Sequence, residues 1–506
     1  MSPLPAVTGP VDPDELVRGY PPPWQIDAAD LAHRVAAGRR VVVLDDDPTG
    51  TQSVADVPVL TAWSPPDLAW AFAQDTPGFF VLTNTRSLAE ADAVALGEEI
   101  AGAVVRAGAE AGVDHMLVSR SDSTLRGHFP AETDVLVRAA AAAGAPVDGI
   151  VIVPAMIEPG RLTVGSVHWM RTPDGMIPVS HSEFARDATF GYTNADLRDW
   201  VAEKTGGRVG RGAVATVTLT DLRGGGPARV AEVLGGLTDA QPVVVDAATD
   251  DDLRVLVEGL LVAEAAGKRF VHRSGPSFVR ARLGQTARAP LTAADLAATL
   301  PGADPADTRP AVPHGLVVAG SHVGLTTRQL DRLRAAGGTT DVELDVPTLL
   351  DPARREPHVR ATAERAIDLL GGSAAPGDAT DVVLRTSRRL VTGADADESL
   401  AIARSVSAAM VDVVADVVAR VRPRFVVAKG GITSSDTATG ALGVSRAWAR
   451  GTLLPGIVSV WEPVAGPARG IPYVVFAGNV GDDDGLAGAV STLRSLVTAS
   501  TSKGNR

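Results

Sequence analysis

Short, continuously apolar runs alternate with longer alanine-rich segments along most of this chain. In the first half the runs are RVVVL, GFFVLTNT, HMLVSR, DGIVIVP, PVVVDA and KRFVHRSG. Apolar runs of this length, bounded by turn residues, are typical of strands buried on both faces, and the stretches between them have helical composition and periodicity. Strands that alternate with helices in this way predict a mostly parallel sheet with helices on both faces.

The alternation stops once, near the middle of the chain. The segment 284–315 contains five prolines and little periodicity, which is typical of a connection between domains. A second series of strand-like runs follows: HGLVVAGS, TTDVEL, DVVLRTS, RFVVAKGG, GIVSVW and YVVFAGN. We therefore predict an α/β protein with two domains, each a mostly parallel sheet flanked by helices, with a cleft between them. The predicted divisions are an N-terminal arm at 1–39, a first domain at 40–300 and a second domain at 301–506.

Length and composition exclude several classes of protein. A chain of 506 residues is too long for one ordinary core, which agrees with two domains. It contains no cysteine, so disulfides, thiolate metal sites and cysteine nucleophiles are excluded. The net charge of −13 and the aromatic content of 4% argue against a nucleic-acid partner, which would need a basic face and stacking side chains. Without a long apolar run or a signal-like N-terminus, we expect a cytoplasmic protein with no membrane partner.

Charge is concentrated where the first strand-like run ends. The apolar residues 41–44 lead straight into three aspartates, 45–47. Clustered carboxylates repel one another and need a cation or a hydrogen-bond donor as partner, and ligands of open parallel sheets bind outside the carboxyl ends of the strands. A single aspartate here is most often a solvated turn residue, whereas three on a buried strand make a turn and a ligand site about equally favoured.

Arginines follow three further strand-like runs of the first half, at Arg86, Arg126 and Arg161. Any one of them alone is more often a surface residue or part of a structural ion pair. Three of them after the parallel strands of one sheet would, however, lie at the same edge. Guanidinium groups bind carboxylates in bidentate fashion, and aspartates accept hydrogen bonds from hydroxyls, so this edge would suit a small hydroxylated acid.

Glycine-containing turns separate strand-like runs from helical segments at three places in the second half, 320–321, 429–433 and 478–479. The free N–H groups of a helix N-terminus attract phosphate, and glycine clears room for it. One such turn is more often structural, but three in one domain favour a nucleotide. The chain lacks both G-x-x-x-x-G-K-[ST] and a G-x-G-x-x-G after a strand, so by motif it is neither a P-loop NTPase nor an ordinary dinucleotide-binding fold.

Together these motifs resemble the four-carbon acid sugar kinase family, once catalogued as a domain of unknown function. The chain carries the family's motifs in the family's order over about residues 40–495. They are an Asp-Asp-x-Thr-Gly loop at 46–50, an Asp-Ser-Thr-x-Arg-Gly segment at 122–127, Gly-Arg at 160–161, Gly-Ser at 320–321, Lys-Gly-Gly-x-Thr at 429–433 and Gly-Asn at 478–479.

The resemblance implies ATP-dependent phosphorylation of a terminal hydroxyl of threonate, erythronate or an oxo-tetronate. The acid would bind the first domain and the nucleotide the second, and Mg²⁺ is expected to bridge the nucleotide phosphates. The implied general base is Asp46 or Asp47, and the implied carboxylate ligand is Arg86, Arg126 or Arg161. The other residues implied to contact the acid are Thr49, Gly50, Asp122 and Ser123. Those implied to contact the nucleotide are Ser321, Lys429, Gly430, Gly431, Ile432, Thr433, Gly478 and Asn479. The metal ligands are not assigned, and a homodimer is left open.

Two other functions fit parts of the sequence. A binding or regulatory module that keeps both ligand sites without turnover would bind the nucleotide and not consume it. A hydroxy-acid oxidoreductase would fit the two-domain layout, but the missing G-x-G-x-x-G counts against it.

Overall fold

The structure is a computed structural model that describes residues 9–47, 49–300, 306–371, 380–388, 391 and 396–496. Pro48, part of the aspartate-loop motif, lies outside the described residues. The chain divides into two compact units, Met1–Ala287 and Arg288–Arg506. Each unit is a mostly parallel sheet with flanking helices, so the predicted fold class, α/β with two domains, is confirmed.

The first unit contains eleven strands and nine helices within its described residues. The strands are β1 (Arg40–Asp45), β2 (Val57–Leu60), β3 (Gly78–Leu82), β4 (His115–Arg120), β5 (Gly149–Val153), β6 (Arg161–Val164), β7 (Val167–Thr172), β8 (Gly175–Pro178), β9 (Ala215–Val217), β10 (Gln241–Val245) and β11 (Phe270–Ser274). The helices are α1 (Pro13–Leu16), α2 (Ala28–Ala36), α3 (Pro65–Phe72), α4 (Glu90–Ala111), α5 (Ala131–Ala142), α6 (Leu197–Lys204), α7 (Gly226–Gly235), α8 (Asp250–Ala265) and α9 (Pro276–Arg282).

Eight of these strands form one parallel sheet in the order β2-β3-β1-β4-β11-β5-β10-β9. β6, β7 and β8 form a separate antiparallel sheet. Successive side chains of a strand point to opposite faces of its sheet. In β5, Val151 and Val153 pack with α7 and α8, whereas Ile150 and Ile152 pack with the buried Trp200. Both faces are therefore covered, which explains why these strands are continuously apolar.

The N-terminal stretch that the sequence sets apart as an arm packs on the first unit. Leu16 in α1, and Leu31 and Val35 in α2, are buried in the same cluster as the residues of α7 and α8. The indole N–H of Trp24 donates to the carbonyl of Arg223 at 2.8 Å. The described part of this stretch thus contributes to the core of the first unit.

The second unit contains seven strands and seven helices within its described residues. The strands are β12 (Leu316–Ala319), β13 (Thr339–Leu344), β14 (Asp381–Thr386), β15 (Val426–Lys429), β16 (Arg446–Leu454), β17 (Ile457–Pro463) and β18 (Tyr473–Phe476). The helices are α10 (Ala293–Thr299), α11 (Gly324–Ala336), α12 (Val346–Leu349), α13 (Pro352–Gly371), α14 (Ala396–Arg420), α15 (Gly431–Asp436) and α16 (Gly485–Arg494). The strands β13-β14-β12-β15-β18 are parallel in that order, and β17 and β16 continue the sheet as antiparallel neighbours.

The segment that the sequence marks as a connection contains the short helix α10. Thr292 and Asp295 cap its N-terminus reciprocally, because each side chain accepts from the backbone N–H of the other. Leu296 on this helix is buried in the core of the second unit. None of the helices in the described ranges combines the length and apolarity needed to cross a bilayer.

Gly78 in β3 provides a test of how tightly the strands of the first unit pack. A Cβ at this position would lie 2.3 Å from the carbonyl oxygen of Val41 on β1. We expect Gly78→Ala to lower the free energy of unfolding by about 1–3 kcal/mol, because the strands would have to separate. Gly97→Ala is the control, since its Cβ would meet Val135 at an ordinary 3.5 Å and alanine favours the helix. Urea unfolding of both variants checks this, and equal stabilities would contradict it.

Candidate active site

A buried carboxylate supports the loop that follows β1. Asp45 ends β1 and is fully buried, and its Oδ1 accepts from Arg120 Nη1 at 2.9 Å and from the backbone N–H of Asp47 at 3.1 Å. Burial, partly opposed by Arg120, raises the pKa of Asp45 to about 7. A Cβ built on Gly50 would lie 1.5 Å from Asp45 Oδ2. Glycine at position 50 therefore allows the loop to close over Asp45.

Arg86, which follows β3, binds the other two aspartates of the loop. Its Nε and Nη2 donate to the two carboxylate oxygens of Asp46, with Nε 3.1 Å from Oδ2, and its Nη1 donates to Asp47 Oδ2 at 2.8 Å. Asp47 Oδ1 accepts from the backbone N–H and the hydroxyl of Thr49 at 2.8 and 2.6 Å. Burial raises the pKa of Asp47, but Arg86 and Thr49 outweigh it, so the pKa lies below its usual value. The Asp46 side chain is 2% exposed and that of Asp47 26%, so a ligand can reach Asp47.

A second ion-pair cluster follows β4. Arg126 donates from Nε to Asp122 Oδ2 at 2.7 Å, and its Nη1 lies 3.7 Å from Asp187 Oδ2. Its guanidinium carbon lies 4.7 Å from the centre of the Phe184 ring. Burial raises the pKa of Asp122, but Arg86 and Arg126 more than offset this, and the pKa lies well below its usual value. Asp122 is thus stabilised by an arginine from each cluster, so the two clusters form one charged surface.

Arg161, at the start of β6, completes this surface as its least neutralised cation. It forms no ion pair with any residue that the structure describes, and its buried Nε has no hydrogen-bond partner among them. Burial lowers the pKa of Arg161, and nearby Asp122 acts in the opposite direction. A guanidinium remains charged under these conditions, so Arg161 retains donors for an anionic ligand.

Most of the residues predicted for the acid lie together at this edge of the first sheet. They are Asp46, Asp47, Thr49, Gly50, Arg86, Asp122, Arg126 and Arg161. Ser123 is in the same segment, but it is 5% exposed and its hydroxyl points to Met156 Sδ at 3.6 Å. Ser123 therefore contributes to packing in this structure.

Sequence reasoning missed buried charges beneath these clusters. They include Arg273 in β11, whose Nη2 donates to the carbonyl of Arg126 at 3.0 Å, and Glu132 in α5, which accepts from Thr85 Oγ1 at 2.6 Å. Burial lowers the pKa of Arg273 and raises that of Glu132. Arg273 stands near a strand end like the other arginines and could have been found by that signal. Glu132 lies within a helix and carries no such signal.

Three loops of the second unit meet at the ends of the neighbouring strands β12, β15 and β18. A Cβ on Gly320 would lie 2.5 Å from Thr433 Oγ1. Gly430, whose φ is +127°, lies so close to the first loop that its Cβ would be 3.3 Å from Ser321 Cβ. A Cβ on Gly478 would be 2.8 Å from Ser321 Oγ. The three predicted turns thus come together, and a side chain at any of these three glycines would crowd a neighbouring loop.

The outer side of these loops is accessible. Ile432 is 70% exposed, Asn479 is exposed, and a Cβ on Gly431 would meet nothing within 4 Å. A cavity of about 270 Å³ opens beside Gly320 and Thr433. Its other lining residues are mostly apolar: His322, Val346, Val391, Ser399, Ile402, Ala403, Val406, Ser407, Met410 and Ile432. An apolar cavity next to glycine-rich loops offers one surface for a flat apolar ring and another for an anion.

Lys429 lies on the inner side of the loops. It is fully buried, its Nζ donates to the carbonyl of Ala477 at 2.6 Å, and it lies 3.8 Å from the centre of the Phe476 ring. Burial lowers the pKa of Lys429 to about 7. Because Ala477 directly precedes Gly478, Lys429 connects the end of β15 to the loop after β18.

Among the residues that the structure describes, no three His, Cys, Asp or Glu side chains are grouped closely enough to hold a metal ion. Mg²⁺ that accompanies a nucleotide takes many of its ligands from phosphates and water.

These features define a two-domain α/β protein with a charged polar site in one domain and a glycine-loop site in the other. The model of a sugar-binding N-terminal domain matches residues 41–282, and that of a nucleotide-binding C-terminal domain matches residues 316–486. The chain belongs to the four-carbon acid sugar kinase family.

One curated relative and two solved structures are similar to this chain. The chain is 29% identical to the D-erythronate kinase of Heliobacterium modesticaldum over 295 residues, which are 57% of this chain and 58% of that protein. The match thus covers less than two thirds of the relative's length. A Haemophilus influenzae protein from a domain family of unknown function has a TM-score of 0.58 at 19% identity, covering 89% of this chain and 100% of that one. A Salmonella typhimurium protein has a TM-score of 0.62 at 18% identity, covering 89% and 98%. At these identities the two structures show the fold alone.

The burial of Lys429 predicts a specific pH dependence of stability. Between pH 7 and 10.5 the unfolded chain keeps a proton on Lys429 that the folded protein has released, so folded stability should rise with pH. Relative to Lys429→Met, which keeps the volume but cannot titrate, the native protein should gain about 2 kcal/mol from pH 7 to 9. Hydrogen exchange of peptides covering β15 and β18, measured in increasing urea, checks this. A difference between the two proteins that is the same at both pH values would contradict it.

Proposed function

We propose that this protein is an ATP-dependent kinase that phosphorylates a terminal hydroxyl of a four-carbon sugar acid. The observation that carries the proposal is the charged surface of the first unit, where accessible guanidinium groups adjoin accessible carboxylates. A sugar acid needs both kinds of partner, because its carboxylate requires cations and its hydroxyls require acceptors. The match of the second unit to the model of a nucleotide-binding domain supports a nucleotide as the second ligand.

The carboxylate of the acid is assigned to Arg161 and Arg126. Arg161 has no ion pair within the described residues, and Arg126 uses Nε for Asp122, while its Nη1 forms a looser ion pair with Asp187 at 3.7 Å and its Nη2 forms no hydrogen bond to a described residue. Arg161 retains the paired N–H donors that bind a carboxylate in bidentate fashion, and Arg126 retains the N–H groups of Nη2. Asp122 interacts with both arginines, and its carboxylate would accept a hydrogen bond from a hydroxyl of the same ligand.

Asp47 is assigned as the general base for the hydroxyl that attacks. It is the reachable carboxylate of the loop, and its lowered pKa keeps it ionised at neutral pH. Thr49 and Arg86 fix its orientation, and Gly50 allows the loop that carries it to close. A weak base is sufficient here, since phosphoryl transfer depends mainly on positioning and charge stabilisation.

The nucleotide is assigned to the three loops of the second unit and the adjoining cavity. The base would enter the apolar cavity, and the phosphates would bind backbone N–H groups of the loops. The residues assigned to this site are Ser321, Gly430, Gly431, Ile432, Thr433, Gly478 and Asn479. Lys429 would act through the loops that it connects. Mg²⁺ bound with the nucleotide would neutralise phosphate charge.

A coupled assay of ADP release tests the function. The panel is D- and L-erythronate, D- and L-threonate and their oxo-tetronate relatives with Mg-ATP, beginning with D-erythronate because a relative bears that name. Turnover with one acid supports the proposal and identifies the acceptor. Nucleotide binding by calorimetry without turnover across the panel would favour a regulatory module. Absence of both turnover and ATP binding would overturn the kinase proposal.

Substitution of Arg161 should weaken acid binding. We expect Arg161→Gln to raise the KM for the acid by about 10–100-fold, the loss of a charged hydrogen bond of about 1.5–3 kcal/mol, with kcat little changed. Arg138→Gln is the control, because Arg138 forms only an exposed pair with Glu98. Steady-state kinetics at saturating ATP provide the measurement. Equal KM values for the acid in the two variants would show that Arg161 does not bind the acid.

Substitution of Asp47 should affect the chemical step. We expect Asp47→Asn to lower kcat by about 10²–10⁴-fold, because the amide cannot accept the hydroxyl proton. ATP affinity, measured by calorimetry, should remain within about twofold of the native value, since the nucleotide is assigned to the other unit. A variant that keeps its kcat would show that another group takes the proton.

A further inference from the structure

We propose that Arg86 contacts the phosphoryl group during its transfer and does not bind the carboxylate of the acid. This inference rests on the proposed function and on the way that Arg86 is held by Asp46 and Asp47. In this inference Asp47 is the general base, Arg86 is the ligand of the phosphoryl group and Asp46 is a positioning residue that holds Arg86.

Asp46 fixes the plane of the Arg86 guanidinium. Two nitrogens on one side of the group, Nε and Nη2, donate to the two oxygens of a single carboxylate, so rotation of the guanidinium would break both bonds. Asp46 is buried and its side chain is 2% exposed. A Cβ on Gly127 would lie only 3.0 Å from Asp46 Oδ2, so the chain closes over this carboxylate. Asp46 is therefore out of reach of a hydroxyl and acts as a positioning residue.

The Arg86 guanidinium keeps unused donors beside the proposed base. It has five N–H bonds, of which Asp46 takes two and Asp47 takes one, so one N–H on each terminal nitrogen forms no hydrogen bond to a described residue. Nη1 lies 2.8 Å from Asp47 Oδ2. A hydroxyl that gives its proton to Asp47 must lie within about 3 Å of that carboxylate. The phosphorus that bonds to this hydroxyl oxygen then lies next to the free N–H groups of Arg86.

Charge balance favours a role in the transition state. Before reaction, the two carboxylates of Asp46 and Asp47 more than offset the single positive charge of Arg86, which makes it a weak ligand for another carboxylate. During the step the hydroxyl oxygen bonds to the γ-phosphorus, the bond from that phosphorus to the ADP oxygen breaks, and the hydroxyl proton moves to Asp47. Protonation removes the negative charge of Asp47 from Arg86. The attraction of Arg86 for the transferring group therefore increases as the reaction proceeds, which is the differential binding that lowers a barrier.

Kinetics of Arg86 variants separate this role from carboxylate binding. We expect Arg86→Lys and Arg86→Ala to lower kcat by about 10²–10³-fold, with the KM for the acid within about threefold of native. Guanidinium ion at millimolar concentration should restore part of the kcat of Arg86→Ala. ADP with aluminium fluoride and the acid should inhibit the native protein tightly and Arg86→Ala weakly. A raised KM with kcat retained, the pattern expected for Arg161→Gln, would overturn the inference.

If the Arg86 variants do not fold, the kinetics of Asp46→Asn provide an independent test of the proposed role of Arg86. This variant keeps the guanidinium but weakens its side-on pair, so kcat should fall without a change in the KM for the acid. An unchanged kcat in Asp46→Asn would contradict the positioning role and with it the inference. A native protein that releases no ADP with any acid of the panel would instead mean that the proposed function itself is wrong.

Discussion

Neutralisation of buried carboxylates by arginines from neighbouring strand ends is the interaction on which the site of the first unit depends. An ionised carboxylate without a partner is costly to bury, so consecutive aspartates at the end of β1 can be folded in only if cations come with them. The parallel register supplies these cations: Asp45 is paired with Arg120 on β4, and Arg86 follows β3, the neighbour on the other side. Pairing of the strands thus assembles the charges, and the charges then fix the loop.

The candidate site of the second unit is formed mainly by backbone loops and an apolar cavity, not by charged side chains. Its three loops meet so closely that a Cβ at Gly320 or Gly478 would lie 2.5 or 2.8 Å from a hydroxyl oxygen of a neighbouring loop, and its one lysine in these motifs is buried beneath them. Few charged side chains are needed there, because backbone N–H groups and an apolar cavity can provide the binding surface. The candidate site of the first unit is therefore built from side-chain charge, whereas that of the second is built from backbone shape. This contrast supports different ligands for the two units.

Secondary structure was predictable for most strands that burial on both faces made continuously apolar, although the short, proline-containing β2 was missed. β1, β3, β4, β5, β10 and β11 in the first unit, and β12 to β15, β17 and β18 in the second, coincide with the predicted runs. β16 was missed because its residues alternate between buried and partly exposed positions. The hairpin strands β6 to β8 were missed for a related reason, since they are short, partly polar and belong to a separate small sheet. The helix α10 formed within a segment whose prolines favoured a connection.

The sequence alone determined the fold class and the family, and it placed most of the candidate site residues at strand ends and glycine turns, because these are local signals and the motifs occur in a fixed order. Only the tertiary structure decided how the charges are paired. It paired Arg86 with Asp46 and Asp47, left Arg161 without an ion pair among the described residues, and directed Lys429 to Ala477 beneath the loops. The reason is physical: an ion pair joins residues that are distant in sequence, and which of them meet depends on strand order, register and burial, none of which a local pattern contains.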